Sequence, residues 1–229
     1  MSYLSAPDPA PSLTEQATAL LRREILTASL APGETLSEAQ AAERLGLGKA
    51  PVRAALARLA DEGLIQAMPR RGWVVALVTI RDIHEVFDLR LLLEPEAARR
   101  AAGRVDADAL RRLDAVCAAG YRPEDADSAL GFLDANRAFH VAVADLSGNG
   151  RLARQIGRLL DESTRMLVLG LKRRDRTGEM AHEHAALIEA LALGRADAAA
   201  ALMHEQVAAS RAMVLDALTS ASSGLPVLP

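Results

Sequence analysis

Residues 32–75 read PGETLSEAQAAERLGLGKAPVRAALARLADEGLIQAMPRRGWVV. Ser37 stands before Glu38-Ala39-Gln40, an N-cap followed by a polar first turn. Ala41, Ala42 and Leu45 follow at helical spacing, and Gly46-Leu47-Gly48 ends the run. Glycine suits the left-handed conformation that a sharp inter-helix turn needs. A second helix is predicted over residues 49–63. Pro51 lies in its first turn, where a missing N–H costs little. Val52, Ala55, Leu56 and Leu59 form its apolar stripe, and Gly63 closes it. Leu64-Ile65 and Trp73-Val74-Val75 read as strands joined through Arg70-Arg71-Gly72. The expectation is a winged helix-turn-helix, which places one helix in the DNA major groove.

The charge pattern is local. The chain has 27 Lys and Arg against 30 Asp and Glu, a net charge of −3. From Arg44 to Arg71, however, six cations (Arg44, Lys49, Arg53, Arg58, Arg70, Arg71) face only Asp61 and Glu62. Cations gathered at a helix start and a wing tip are what phosphate contact requires. A solvated basic face would carry the same charges, and the helix-turn-helix punctuation with its wing decides for double-stranded DNA. The candidate contacts are Lys49, Arg53, Arg58, Arg70 and Arg71, with Gly72 in the wing.

Working outward, 229 residues can bury a core in more than one unit. Half of them are hydrophobic but only 3% aromatic, which favours close helix packing. The expected organisation is a disordered arm over 1–11, the winged head over 12–76, a linker over 77–79, a helical body over 80–218 and a disordered tail over 219–229. The first helix of the head should run from Leu13 to Ala28, with Ala17, Leu20, Leu21, Glu24 and Ile25 near its buried edge. Body helices are expected over about 80–102, 107–119, 124–146, 151–171, 178–193 and 196–217, packed as an antiparallel bundle. The fold class is therefore mainly α, with a small β wing. The one cysteine, Cys117, allows no intrachain disulfide and fits a reducing, cytoplasmic setting; it reads as a small buried hydrophobe. No apolar run approaches the ~20 residues of a membrane span, and the proline-rich start is no signal peptide.

Three body helices carry the chemistry. Asn136 and His140 are four apart and share a face with Leu133, Val143 and Ala144. In the next-to-last helix Ala181, Ala185, Ile188 and Ala192 define the expected inward stripe, which brings His184 in and leaves His182 out. In the last helix the stripe of Ala199, Met203, Val207, Ser210 and Val214 favours Gln206 over His204. Asn136, His140, His184 and Gln206 thus converge as a candidate polar cluster, and buried polar groups need partners. Imidazole is a good ligand for zinc and similar divalent ions.

The segment GLGKAPVRAALARLADEGLI resembles the GntR family signature, and the helical body resembles that family's FCD effector domain, marking the FadR-like subfamily. The resemblance runs from about Ser12 to about Leu218. Arg53, Pro51 and Gly72 match; Gly48-Lys49-Ala50 stands where the family has Ser-Arg-Thr, Ala54 where it has Glu, and Ala39 where a basic residue is common. Metal-holding FCD domains use Asp/Asn-x-x-x-His and one His from each of the last two helices. The resemblance therefore implies a divalent metal, zinc or nickel, on Asn136, His140 and His184, with Gln206, or alternatively His204, in fourth place. A metal-free pocket that hydrogen-bonds its ligand directly is the alternative. The resemblance also implies that Arg90 faces the effector cavity, where it could grip a carboxylate; the alternative is a structural Arg90–Glu94 pair one turn apart. Arg137 and Arg165 are further pocket-adjacent candidates.

Two functions follow as expectations. One is a ligand-responsive transcription regulator, a repressor released by a small carboxylate metabolite and acting as a homodimer on a palindromic operator. The other is a small helical metal-dependent enzyme with an accessory DNA-binding-like domain. Against the second, the chain has no carboxylate-rich site built from paired Glu-x-x-His motifs, no glycine-rich phosphate loop and no nucleophile–base pattern, and His182-Glu183-His184 lacks the H-E-x-x-H spacing.

Overall fold

The computed structural model describes residues 10–122 and 125–219. It divides into two compact units, Met1–Leu77 and Val78–Pro229. The expected arm and tail lie outside the described residues, except Ala10, Pro11 and Thr219.

In the head, α1 spans Leu13–Leu26 and opens with a capping box: Ser12 accepts from the Glu15 backbone, and Glu15 accepts from the Ser12 N–H at 2.8 Å. Ala17, Leu21 and Ile25 are buried. Leu20, expected at the buried edge, is 41% exposed. It lies ~100° round the helix from Leu21, and buried Thr18 places the stripe on the other flank. The helix stops short of the expected Ala28, which takes a positive φ of 60°. β1 is Thr35–Leu36. Ser37 and Gln40 form a second capping box at the start of α2, Glu38–Leu45, which ends on Gly46 at φ 64°. α3 is Lys49–Asp61, with Val52, Ala55, Leu56 and Leu59 buried.

β2, Ile65–Met68, and β3, Gly72–Val75, are antiparallel, with Gln66 opposite Val74. β1 pairs on the other side of β3, with Leu36 opposite Trp73, giving the order β1-β3-β2. Gly72 has φ 92°, and a Cβ there would meet the Leu36 carbonyl oxygen at 2.7 Å. The wing glycine is thus required by the sheet itself.

The body is α4 Ile80–Ala101, α5 Ala107–Ala119, α6 Ala126–Leu146, α7 Gly150–Leu171, α8 Thr177–Ala192 and α9 Ala196–Thr219. Thr79 with Asp82, then Asp106, Asp125 and Asn149, cap the starts of α4 to α7, whereas α8 starts after Arg176 without a side-chain cap. The expected start of the third body helix at Glu124 falls outside the described residues. α4 packs along α9, α7 and α6, while α8 lies against α5 and α9. Phe87, Phe139, Val143, Val207 and Val214 are completely buried between them. No described helix is long and apolar enough to cross a membrane.

The phase of α8 differs from expectation. Its buried residues are Met180, His184, Leu187, Ile188, Ala190 and Leu191, while Ala185 and Ala192 are exposed. Larger apolar side chains gain more from burial than alanine, so Met180, Leu187 and Leu191 set the stripe. That rotation puts His184 on its centre.

Candidate functional site

On the head, Lys49, Arg58, Arg70 and Arg71 are exposed, and none holds a salt bridge among the described residues. The other two cations of the patch are paired, with acids from outside it. Arg44 Nε meets Glu24 Oε2 at 2.8 Å. Arg53, on α3, reaches Glu38 in the first turn of α2, with Nε 2.9 and 3.0 Å from the two carboxylate oxygens and Nη2 at 2.8 Å. This hydrogen bonding raises the Arg53 pKa and lowers that of Glu38. Arg53 nonetheless remains 68% exposed, and exposed pairs are worth only ~0–1 kcal/mol. Glu38 can therefore aim the guanidinium without withholding it from a phosphate or base.

In the body, Arg90, Asn136, His140, His184 and Gln206 are all buried. Their burial follows from the stripes: Phe87 and Arg90 on α4, Phe139 and Val143 around His140 on α6, Met203 and Val207 around Gln206 on α9. The rings of His140 and His184 stand edge to face with centroids 5.8 Å apart, and Phe139 stacks on His184 at 4.1 Å. Each histidine is held at Nδ1 by a carboxylate. His140 Nδ1 is 2.6 Å from Glu94 Oε2, and His184 Nδ1 is 2.5 Å from Asp114 Oδ1. Carboxylates in this position fix the ring and leave Nε2 for a ligand. Burial holds His184 below the ordinary histidine pKa despite Asp114.

Among the described residues, His184 Nε2, Asn136 Oδ1 and both polar atoms of the Gln206 amide are buried without a hydrogen-bond partner. Each such atom calls for a water, ion or ligand as partner. His204 is exposed on α9, so it is no member of the cluster. Its ~100° offset from Met203 carries it to solvent.

Arg90 makes the structural pair: its Nε lies 2.5 Å from Glu94 Oε1, and its Nη1 donates to Ser163 Oγ at 3.1 Å. Burial raises the Glu94 pKa, but Arg90 and His140 outweigh it and hold the carboxyl at about 2. Arg137 pairs with Asp161 at 2.6 Å near the surface, and burial lowers the Arg165 pKa.

Three buried or half-buried groups were missed from sequence. Asp114 falls four after Leu110 and three before Cys117 on the buried stripe of α5; an acid on an apolar stripe was the available signal. Arg176, at the start of α8, bonds Glu179 at 2.7 Å and Glu183 at 2.5 Å. Arg176 Nη1 and Glu183 Oε2 remain unpartnered. Asp114, Cys117 and His184 also offer ligand atoms that all lie within 4.8 Å of one another.

The family model described as "FCD domain" matches residues 85–209, and that described as "Bacterial regulatory proteins, gntR family" matches residues 13–75. An HTH-type transcriptional regulator from an unstable DNA locus of Streptomyces ambofaciens is 29% identical over 76% of this chain and 73% of its own. The HTH-type transcriptional repressor RspR of Escherichia coli is 35% identical, but over only 43% of each chain. The chain likewise spans 43% of the HTH-type regulator YdfH of Escherichia coli, at 36% identity. Among solved structures, McbR/YncC of E. coli superposes with a TM-score of 0.74 at 22% identity, covering 92% of this chain and all of that one. A regulator from Rhodococcus gives 0.71 at 23% identity, covering 90% and 98%. These two likenesses concern the fold.

Proposed function

The chain belongs to the GntR family of bacterial regulatory proteins and carries an FCD domain, and on that footing we propose that it is a ligand-responsive transcription regulator. The observation that carries this reading is the buried set of unpartnered polar atoms on His184, Asn136 and Gln206, housed in a different unit from the exposed cations of α3 and the wing. The head reads a palindromic operator, with α3 in the major groove and Arg70 and Arg71 on flanking phosphates. A homodimer supplies two heads. The effector enters the body cluster and releases the operator. The family models and the relatives support a regulator, and neither supports the enzyme alternative.

A divalent ion fits the donor set. His140 and His184 have their Nδ1 atoms committed to carboxylates, and the unpartnered Asn136 and Gln206 oxygens complete a four-residue group. When bound, the ion supplies a Lewis-acidic anchor for an anionic oxygen. Arg90 and Glu94 offset each other formally, so an ion opposed by Asp114 alone leaves one positive charge in an apolar interior. A small carboxylate removes it.

The test is operator binding by fluorescence anisotropy across a panel of small organic acids, with and without EDTA. The reading requires at least one acid that weakens binding by about tenfold or more and is recovered unchanged. Turnover of the acid, or failure of every sequence around the gene to bind at low salt, would overturn it.

A further inference from the structure

We propose that Asp114, Cys117 and His184 form a second site, for a thiophilic divalent cation of the zinc class, on the opposite edge of the His184 ring from the amide–imidazole cluster. The site stands whether or not the effector reading holds. Its three donors are an oxygen, a sulfur and a nitrogen, all within 4.8 Å of one another. Ligands to one tetrahedral zinc ion, at ~2.0 to 2.3 Å, lie about 3.3–3.5 Å apart. Shifts of about 1 Å therefore form the site, opening the 2.5 Å Asp114–His184 contact and drawing the longer separations in.

The site also has an entrance. Asp114 lines a groove between α5 and α8 together with Arg111, Ala118, Ala185 and Ile188. The small alanines keep the groove clear down to the carboxylate, and a water there can fill the fourth position. Cys117 is completely buried, its thiol facing the Phe132 carbonyl at 3.8 Å. Burial and the neighbouring Asp114 push the thiol up to about 12, so it is no nucleophile. A bound cation is what makes its sulfur a ligand.

The proton balance is simple. The Cys117 S–H bond breaks, a sulfur–metal bond forms, and that proton leaves to solvent. The His184 proton moves from Nδ1, where it is donated to Asp114, to Nε2. A neutral imidazole has one lone pair. With the cation on Nδ1, Nε2 faces the Asn136–His140–Gln206 cluster as a donor; without it, Nε2 faces that cluster as an acceptor. A cation on Nδ1 and a cation on Nε2 of the neutral imidazole therefore exclude each other, which couples the thiophilic metal to an ion held by the cluster.

Cobalt(II) added to the full-length protein tests this, because Cys117 is the one cysteine in the chain. The expected result is a near-ultraviolet sulfur-to-cobalt charge-transfer band in the wild-type protein. Cys117→Ser should abolish it and weaken cobalt binding at this site by more than about tenfold, Asp114→Asn should weaken it, and His140→Ala should retain it. No band in the wild-type protein overturns the proposal without reliance on any variant. A band lost equally in a folded His140→Ala protein, judged by circular dichroism, overturns the separateness of the two sites.

Discussion

His140 Nδ1 lies 2.6 Å from Glu94 Oε2, with both side chains 2% exposed. Glu94 thereby joins α4 to α6 and balances Arg90 through its other oxygen. Replacing it removes the only acid in contact with Arg90 among the described residues and leaves a buried guanidinium without a counter-charge. Such a loss typically costs about 3–5 kcal/mol. Glu94→Gln is expected to lower the stability of the body by that order in urea unfolding, far more than an exposed control such as Glu85→Gln. Equal effects would show that the buried pair is unimportant.

The same residue sets an acid dependence. Its folded pKa of about 2 lies below the ordinary carboxyl value of 4.5. A depressed carboxyl contributes stability that is fully present above the unfolded pKa and lost as pH falls through the folded one. The window is thus about pH 4.5 down to 2, and the integrated contribution is on the order of 3 kcal/mol. The melting temperature of the wild-type body should fall across that window, and the fall should be shallower in Glu94→Gln. Parallel slopes in the two proteins would remove Glu94 as the cause.

In the head, Arg53→Ala should abolish operator selection while leaving the body folded. A bidentate base contact is worth ~1–3 kcal/mol. Lys49→Ala or Arg71→Ala should instead weaken binding to all sequences and reduce the slope of log affinity against log salt by about one. Glu38→Gln separates aiming from charge: it frees Arg53, so non-specific affinity should rise while discrimination between operator and random DNA falls. Anisotropy titrations at several salt concentrations read all four, and unchanged discrimination in Arg53→Ala would remove α3's arginine from base reading.

Much of the architecture was legible because its signals are local. Ser37 announces a helix start through a partner three residues away, and Gly46 and Gly63 announce stops with positive φ. The inward turn of Asn136 and His140 also needs only one helix. What was not legible depends on residues far apart in the chain. Asp114 meets His184 across 70 residues, and Glu38 takes Arg53 across 15. The phase of α8 was misjudged by using its alanines, which tolerate either face. Met180, Leu187 and Leu191 carried the information, because their burial is worth more.

Gly72→Ala is expected to damage the wing rather than a DNA contact made by the glycine itself. The backbone there has φ 92°, and the added Cβ would stand 2.7 Å from the Leu36 carbonyl oxygen, a backbone atom that cannot swing away. Strain of this kind costs about 1–3 kcal/mol. The head should melt earlier by itself while the body transition stays in place. A variant with wild-type head stability and lost DNA binding would instead assign Gly72 to the interface.

Gln206 offers the sharpest test of whether the body cluster coordinates an ion. Its amide is buried with both polar atoms unpartnered, beside a stripe formed by Met203, Val207 and Ser210. An amide oxygen is a weaker ligand for zinc or nickel than an imidazole nitrogen. Gln206→His would complete a set of three histidines on α6, α8 and α9. If an ion binds Asn136, His140 and His184, the added imidazole should tighten zinc binding by about tenfold or more, equivalent to ~1.4 kcal/mol. His140→Ala should cancel that gain. Competition against a chelating dye measures both, with Cys117→Ser as the background so that the thiol contributes nothing. An unchanged affinity in Gln206→His would mean that no ion sits in the cluster, and that an effector meets these amides and imidazoles by direct hydrogen bonds.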